Sequence, residues 1–334
     1  MSGGDEAAPP HATPRPTGGA GAPAVPHTPG RLRGALMVLL AACLWATIGI
    51  FGREAYQHGA QPLEAASARA ALAFVGLGLL NAWRPRRLAV PLSELPFFAL
   101  FGTVSIAAFY YLYFAALERV PVGVAAALLY TAPVFAVLLA RALFGEALTA
   151  WKLGALAAAV AGVVLVSGAL GSAPSPDGAR AAAGGTRTAG ILLGLGSGLT
   201  YALFTLFGRR SGTRHDAVRT VFWAMGFGAL VLGLLVPPWR VLVDHPGAIP
   251  WILALSLVST LGANLLYMGA LRHVEAGVAA VLATIEPVVA GLLAWLWLGE
   301  GLAGGQIAGL VLVVAAAGAL MSRPARAAGA AAGG

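Results

Sequence analysis

Apolar stretches long enough to cross about 30 Å of hydrocarbon at 1.5 Å per residue recur ten times in this chain, at about 34–52, 63–83, 95–117, 122–144, 150–170, 189–208, 217–238, 248–270, 277–298 and 303–322. Lipid offers backbone groups no partners, so a crossing segment must be a helix or part of a closed barrel. About twenty residues per crossing is too long for a barrel strand. The expected fold is therefore an all-α membrane protein with ten transmembrane helices. Composition agrees: 59% of the 334 residues are hydrophobic and only 10% are charged, against about a quarter in soluble proteins. The first thirty residues hold seven Pro and six Gly and little to bury, so residues 1–33 are expected to form a disordered tail, with a second short tail at 323–334.

The formal charge of +8, from 21 Lys and Arg against 13 Asp and Glu, raises the question of a nucleic-acid partner. Sorting the cations across ten crossings answers it. Fourteen fall on the side of both termini (Arg31, Arg33, Arg84, Arg86, Arg87, Arg141, Lys152, Arg209, Arg210, Arg214, Arg219, Arg272, Arg323, Arg326) and five on the other (Arg53, Arg119, Arg180, Arg187, Arg240). Cytoplasmic loops collect Lys and Arg, so both termini are expected in the cytoplasm and no nucleic acid is needed. One Cys excludes a disulfide framework. The stretch Leu40-Ala41-Ala42-Cys43 matches a lipoprotein cleavage pattern, but the apolar run continues through Trp45, Ile48 and Phe51, where a cleaved signal would turn polar.

The chain repeats itself. Residues 116–148 superpose without a gap on 270–302 with seventeen of thirty-three positions identical, including Gly123 with Gly277, Pro133 with Pro287, Gly145 with Gly299 and Glu146 with Glu300. The match extends outward: Leu44–Arg53 aligns with Thr200–Arg209, and Val104, Ser105 and Tyr113 meet Val258, Ser259 and Tyr267. Each copy is thus five spans, 34–170 and 189–322, joined by an extracytoplasmic linker at 171–188. An odd number of spans inverts the second copy in the membrane. Inverted repeats build a site near the midplane and allow alternating access.

Nine Glu and four Asp are present, yet only Glu286 lies deep within an expected span. A charge there costs about 2.5–3.5 kcal/mol on insertion scales, so it faces a cavity or a partner. Glu286 is a candidate to bind a cationic group of a substrate or a coupling proton; a carboxyl bonded between helices is the structural alternative. Pro287 leaves a carbonyl one turn back unpaired. Arg69 lies about 9 Å deep in span 2, either snorkelling to the surface or acting as a cavity cation. Polar positions recur in both copies: Trp45 aligns with Tyr201, Tyr110 with Asn264, and Tyr130 with Thr284. These eight residues are the candidate substrate pathway. Pro133, Pro287, Gly145, Glu146, Gly299 and Glu300 are candidates for structural roles at breaks and turns. Glycines at four-residue intervals in spans 5, 6 and 10 suit close helix packing within the chain or a homodimer contact.

These residues resemble the EamA-type branch of the drug/metabolite transporter superfamily: the Gly-Glu pair closing spans 4 and 9, the Pro in each, Glu286-Pro287, and Pro62 with Arg69. The resemblance covers about 34–322 and implies ten helices, a central cavity between the halves, and export of small polar metabolites such as amino acids, or of drugs. Trp223 stands near the place of Arg69 in the second copy, and Gln306 meets only Lys152. No phosphate-binding loop and no paired His of a zinc site occurs, so neither an enzyme, a metal nor a cofactor is expected. Energy then comes from an ion gradient or the membrane potential, or transport is passive. The expected protein is a multi-pass bacterial inner-membrane permease whose partners are a small-molecule substrate and the bilayer. An importer or facilitator of a sugar or nucleoside is the alternative, and a non-transporting membrane protein a more distant one.

Overall fold

A computed structural model describes residues 29–83, 87–167, 185–298 and 303–322. Among these residues there is no strand. Nine helical stretches are long and apolar enough to cross a membrane: α1 (Gly30–Gln57), α2 (Pro62–Leu80), α3 (Leu92–Leu117), α4 (Val122–Phe144), α6 (Arg187–Ser211), α7 (Ala217–Leu235), α8 (Pro246–Ala270), α9 (Ala276–Trp297) and α10 (Gly304–Met321). Between α4 and α6 lies α5 (Ala150–Val166), also apolar but shorter at 17 residues. The first helix starts at Pro29, so residues 29–33 belong to it and not to the expected tail, and residues 185–188, expected in the linker, already belong to the sixth helix. The rest of both tails, most of the linker, and Gly299 and Glu300 lie outside the described residues.

Local chemistry sets the ends. Asp216 caps α7 by accepting from Arg219 N at 2.8 Å, and Thr149 caps α5 by accepting from Lys152 N at 3.1 Å. At the end of α4 the chain turns through Gly145 at φ +68°, which a residue without a Cβ adopts at least cost.

Several helices are irregular, and apart from a break at Thr47 in α1, which α6 lacks, the irregularities coincide in the two copies. Thr103–Ala108 of α3 and Leu255–Gly262 of α8 are wound as π-helix. Breaks fall at Tyr130–Thr131 in α4 and Thr284–Ile285 in α9, just ahead of Pro133 and Pro287, whose rings cannot donate to the ladder. A hydroxyl sits at each break: Thr131 donates to Leu128 O and Thr284 to Val281 O, both at 2.6 Å.

The helices pair as α1 with α8 and α9, α6 with α3 and α4, α2 with α8, α3 with α7, α2 with α7, α4 with α9, and α5 with α10. Replacing every helix by the one five places away returns these same pairs, although smaller contacts such as α6 with α9 and α5 with α9 are not mirrored to the same extent. Since lipid tails are as apolar as Leu, such contacts depend on close approach at small residues. Gly162 and Gly309 bring α5 and α10 together, each with the other's carbonyl where a Cβ would stand, and Gly194 and Gly198 seat α6 on Leu128 and Thr131 of α4. The four-residue glycine spacing thus serves packing within the chain at these positions, whereas Gly154 and Gly305 face open space.

Interhelical loops meet on two faces. On one, Arg31 donates to Leu320 O at 3.2 Å, Arg209 donates to Leu271 O, Arg219 donates to Arg87 O at 2.9 Å, and Lys152 pairs with Glu275 at 2.6 Å. On the other, Arg240 pairs with Glu64 at 3.5 Å, Ser67 donates to Val236 O at 2.7 Å, and Gln306 donates to Val166 O at 3.2 Å.

Candidate functional site

Between these two faces lies a partly open cavity of about 80 Å³, walled by Trp45 and Ile48 of α1, Arg69 of α2, Ser105, Ile106, Phe109 and Tyr110 of α3, Leu129 of α4, Tyr201 and Phe204 of α6, Asn264 of α8 and Glu286 of α9. Both copies of the repeat therefore supply its wall. Glu286 stands ten residues into α9, which puts it about 15 Å from that helix's start and close to its centre.

Arg69 does not snorkel. It is buried at 8% exposure, its guanidinium carbon lies 4.5 Å from the centroid of the Tyr110 ring, and its Nε has no hydrogen-bond partner among the described residues. A cation over an aromatic face is attracted by the ring quadrupole, which holds the guanidinium without using its donors. Glu286, which lines the same cavity, lies within electrostatic reach of Arg69, Tyr130 and Tyr201. No direct ion pair joins Arg69 to Glu286 among the described residues. The cavity thus presents separate positive and negative groups, each with bonding capacity left over.

The aromatic residues hold these groups in place. Trp45 Nε1 donates to Asn264 Oδ1 at 3.3 Å, and its ring packs on Tyr267 at 4.9 Å and edge-on to Tyr201 at 6.2 Å. Tyr201 in turn stacks on Phe109 at 5.5 Å. Tyr267 is fully buried and shares a hydrogen bond of 2.8 Å with Thr205.

Of the eight expected pathway residues, six (Trp45, Arg69, Tyr110, Tyr201, Asn264 and Glu286) line this cavity. Tyr130 and Thr284 line a second, much smaller space of about 10 Å³ with Pro133, Ala280 and Tyr201. Tyr201 borders both. Thr284 uses its hydroxyl on its own helix. Pro287 is buried beside Glu286.

Glu146 joins the two copies at the loop face. Its carboxylate accepts from Ala276 N at 2.7 Å and Gly277 N at 3.1 Å, capping α9, and Lys152 bridges it at 3.4 Å to Glu275. The Gly-Glu step of the first copy therefore fixes the helix start of the second. Sequence reasoning saw Glu146 but not Glu275, and it left Lys152 as an unmatched counterpart of Gln306. It also counted Ser105 as a repeat match and missed its place on the cavity wall.

A helical, multi-pass membrane protein whose bundle holds an apolar and aromatic cavity with one Arg and one Glu in its wall belongs by class with the membrane transporters. The chain is a member of the EamA-like transporter family, which matches it at residues 32–168 and again at 188–322, and hence of the drug/metabolite transporter superfamily. It is similar to an uncharacterized transporter of Archaeoglobus fulgidus, 28% identical over 84% of this chain and 94% of that protein. It is also 28% identical to the threonine/homoserine exporter RhtA of Escherichia coli K12, over 65% of this chain and 68% of the exporter, and 26% identical to the uncharacterized transporter YvbV of Bacillus subtilis, over 85% and 90%. One solved structure, 20% identical, superposes with a TM-score of 0.70 over 86% of this chain and 96% of that one, a likeness of fold. Family and relatives alike indicate a transporter, not an enzyme.

Proposed function

We propose that this protein exports small zwitterionic amino acids across the bacterial inner membrane by alternating access. The observation that carries the proposal is the pair Arg69 and Glu286, opposite charges on one cavity wall that are not spent on each other. An α-carboxylate completes the hydrogen bonding of Arg69, and an α-ammonium pairs with Glu286. Each charge-assisted hydrogen bond contributes about 1.5–3 kcal/mol, enough for two of them to select a zwitterion over a neutral solute of the same size. The exporter function of RhtA supports both the substrate class and the outward direction.

The membrane arrangement in this proposal is ten crossings in two inverted halves with both termini cytoplasmic. Support comes from the exchange-invariant helix pairing, the matched π-helical segments and breaks, and the two family matches. The loops grouped with the termini are those that carry Arg31, Arg87, Lys152, Arg209 and Arg219, the sign expected of a cytoplasmic face. Tyr130 and Glu286 lie at the breaks in α4 and α9, where movement can connect the two spaces.

Reconstitution into liposomes with labelled amino acids, with and without an imposed proton gradient, tests the proposal. Wild-type protein is expected to move small neutral amino acids, and Glu286→Gln is expected to stop this while the amount of folded protein stays unchanged. Full activity of Glu286→Gln would remove the carboxylate from the mechanism. Movement of sugars but not amino acids would reject the substrate class.

A further inference from the structure

Buried hydroxyls in this bundle are almost all spoken for. Ser197, Thr200, Thr131, Thr284 and Thr260 donate to carbonyls of their own helices, the usual resort of Ser and Thr inside a helix. Ser67 and Ser256 donate to carbonyls of other helices, and Ser211 and Thr205 pair with Thr220 and Tyr267. Ser105 is different. It is 2% exposed, its Oγ has no partner among the described residues, and it lines the same cavity as Arg69 and Tyr110.

The repeat shows why it is left over. Ser259, the equivalent residue in the second copy, shares a 2.7 Å hydrogen bond with Thr47. Thr47 corresponds to Leu203 in the aligned segments Leu44–Arg53 and Thr200–Arg209, and a Leu side chain offers no hydroxyl. Ser105 also sits within the π-helical turn Thr103–Ala108, a winding found frequently at functional sites. A buried hydroxyl without a partner carries its full desolvation cost, a cost relieved when something in the cavity bonds to it.

We propose that Ser105 is a specificity-determining residue that hydrogen-bonds a hydroxyl on the side chain of the transported amino acid. This rests on the zwitterion reading of Arg69 and Glu286: once those two hold the α-groups, Ser105 is the remaining unpaired buried donor and acceptor on the same wall. Hydroxylated amino acids are then favoured over aliphatic ones of equal shape, because an aliphatic group leaves Ser105 unpaired. Sites built to bond a substrate hydroxyl reject the analogue lacking it.

L-threonine and L-valine differ by one hydroxyl in place of a methyl and make the direct comparison. Uptake of each into proteoliposomes is measured for wild type, Ser105→Ala and Ser105→Thr. Wild type is expected to favour threonine by about tenfold or more. In Ser105→Ala the ratio is expected to fall to near one, with valine transport retained. Ser105→Thr, which keeps a hydroxyl, is expected to retain the preference if it transports. A wild type that moves valine as well as threonine, or a Ser105→Ala protein that keeps the wild-type ratio, overturns the proposal for Ser105 and leaves the zwitterion reading standing. A wild type that moves neither rejects both.

Discussion

Removing the Glu146 carboxylate should loosen the joint between the two copies more than any other single polar change at the loop face. The side chain is 7% exposed, and it satisfies two buried amides, Ala276 N at 2.7 Å and Gly277 N at 3.1 Å. Those amides are among the N–H groups at a helix start that have no partner within the helix, where negative charge is also favoured by the dipole. In Glu146→Ala each orphaned amide costs about 1–3 kcal/mol. Lys152 keeps Glu275 at 2.6 Å, but Glu275 is 39% exposed, and solvent screening makes such a contact a weak substitute. The expected loss is about 3–5 kcal/mol, the range for breaking a buried pair by deleting one partner. Glu146→Gln keeps one acceptor oxygen and should lose about half as much. Thermal unfolding of the purified protein in detergent reads this directly, at about 2–4 °C per kcal/mol for a chain of some 200 residues and less for a longer one. The order expected is wild type, then Glu146→Gln, then Glu146→Ala. Two variants that both melt within about 1 °C of wild type would show that α9 does not depend on this cap.

Other consequences concern the cavity and the helix contacts. Arg69→Lys keeps the positive charge but loses the planar fork, and should lower transport efficiency about tenfold or more, with Arg69→Gln lower still in the same liposome assay. Trp45→Phe deletes the donor to Asn264 while keeping the ring among Tyr201, Phe204 and Tyr267; loss of one hydrogen bond of about 1 kcal/mol should raise the half-saturating substrate concentration about fivefold. Gly309→Leu places a side chain against the Gly162 carbonyl and should destabilise the α5–α10 contact by about 1–3 kcal/mol or more, seen as a lower melting temperature with the substrate cavity unaltered.

Much of this architecture could be read from residues alone because the bilayer leaves so few choices. Length and apolarity locate the spans, and the gapless match of 116–148 to 270–302 anticipates the paired breaks ahead of Pro133 and Pro287. Glu286 and Arg69 stood out because charge inside a span is costly, and the structure buries the Arg69 guanidinium over Tyr110. What sequence could not supply were contacts between residues far apart in the chain. Nothing local links Glu146 to Ala276, and Lys152 reads as an ordinary loop cation until Glu275 is brought to it. The place of Ser105 was hidden for another reason: a serine in a span normally bonds its own helix, and this one has no partner among the described residues. The first helix began earlier than its apolar run because Pro29 suits a helix start, and Arg31 is held by Leu320 O.

The central claim is that Arg69 reads a carboxylate and Glu286 an ammonium of the same small molecule. It is tested most directly by binding to purified wild type, Arg69→Gln and Glu286→Gln of three compounds: L-threonine, its methyl ester, which lacks the carboxylate, and N-acetyl-L-threonine, which lacks the ammonium. Wild type is expected to bind threonine well above both analogues. Arg69→Gln is expected to lose discrimination against the ester alone, and Glu286→Gln discrimination against the N-acetyl compound alone. A wild type that binds all three equally, or two variants that keep the wild-type order of affinities, would contradict it.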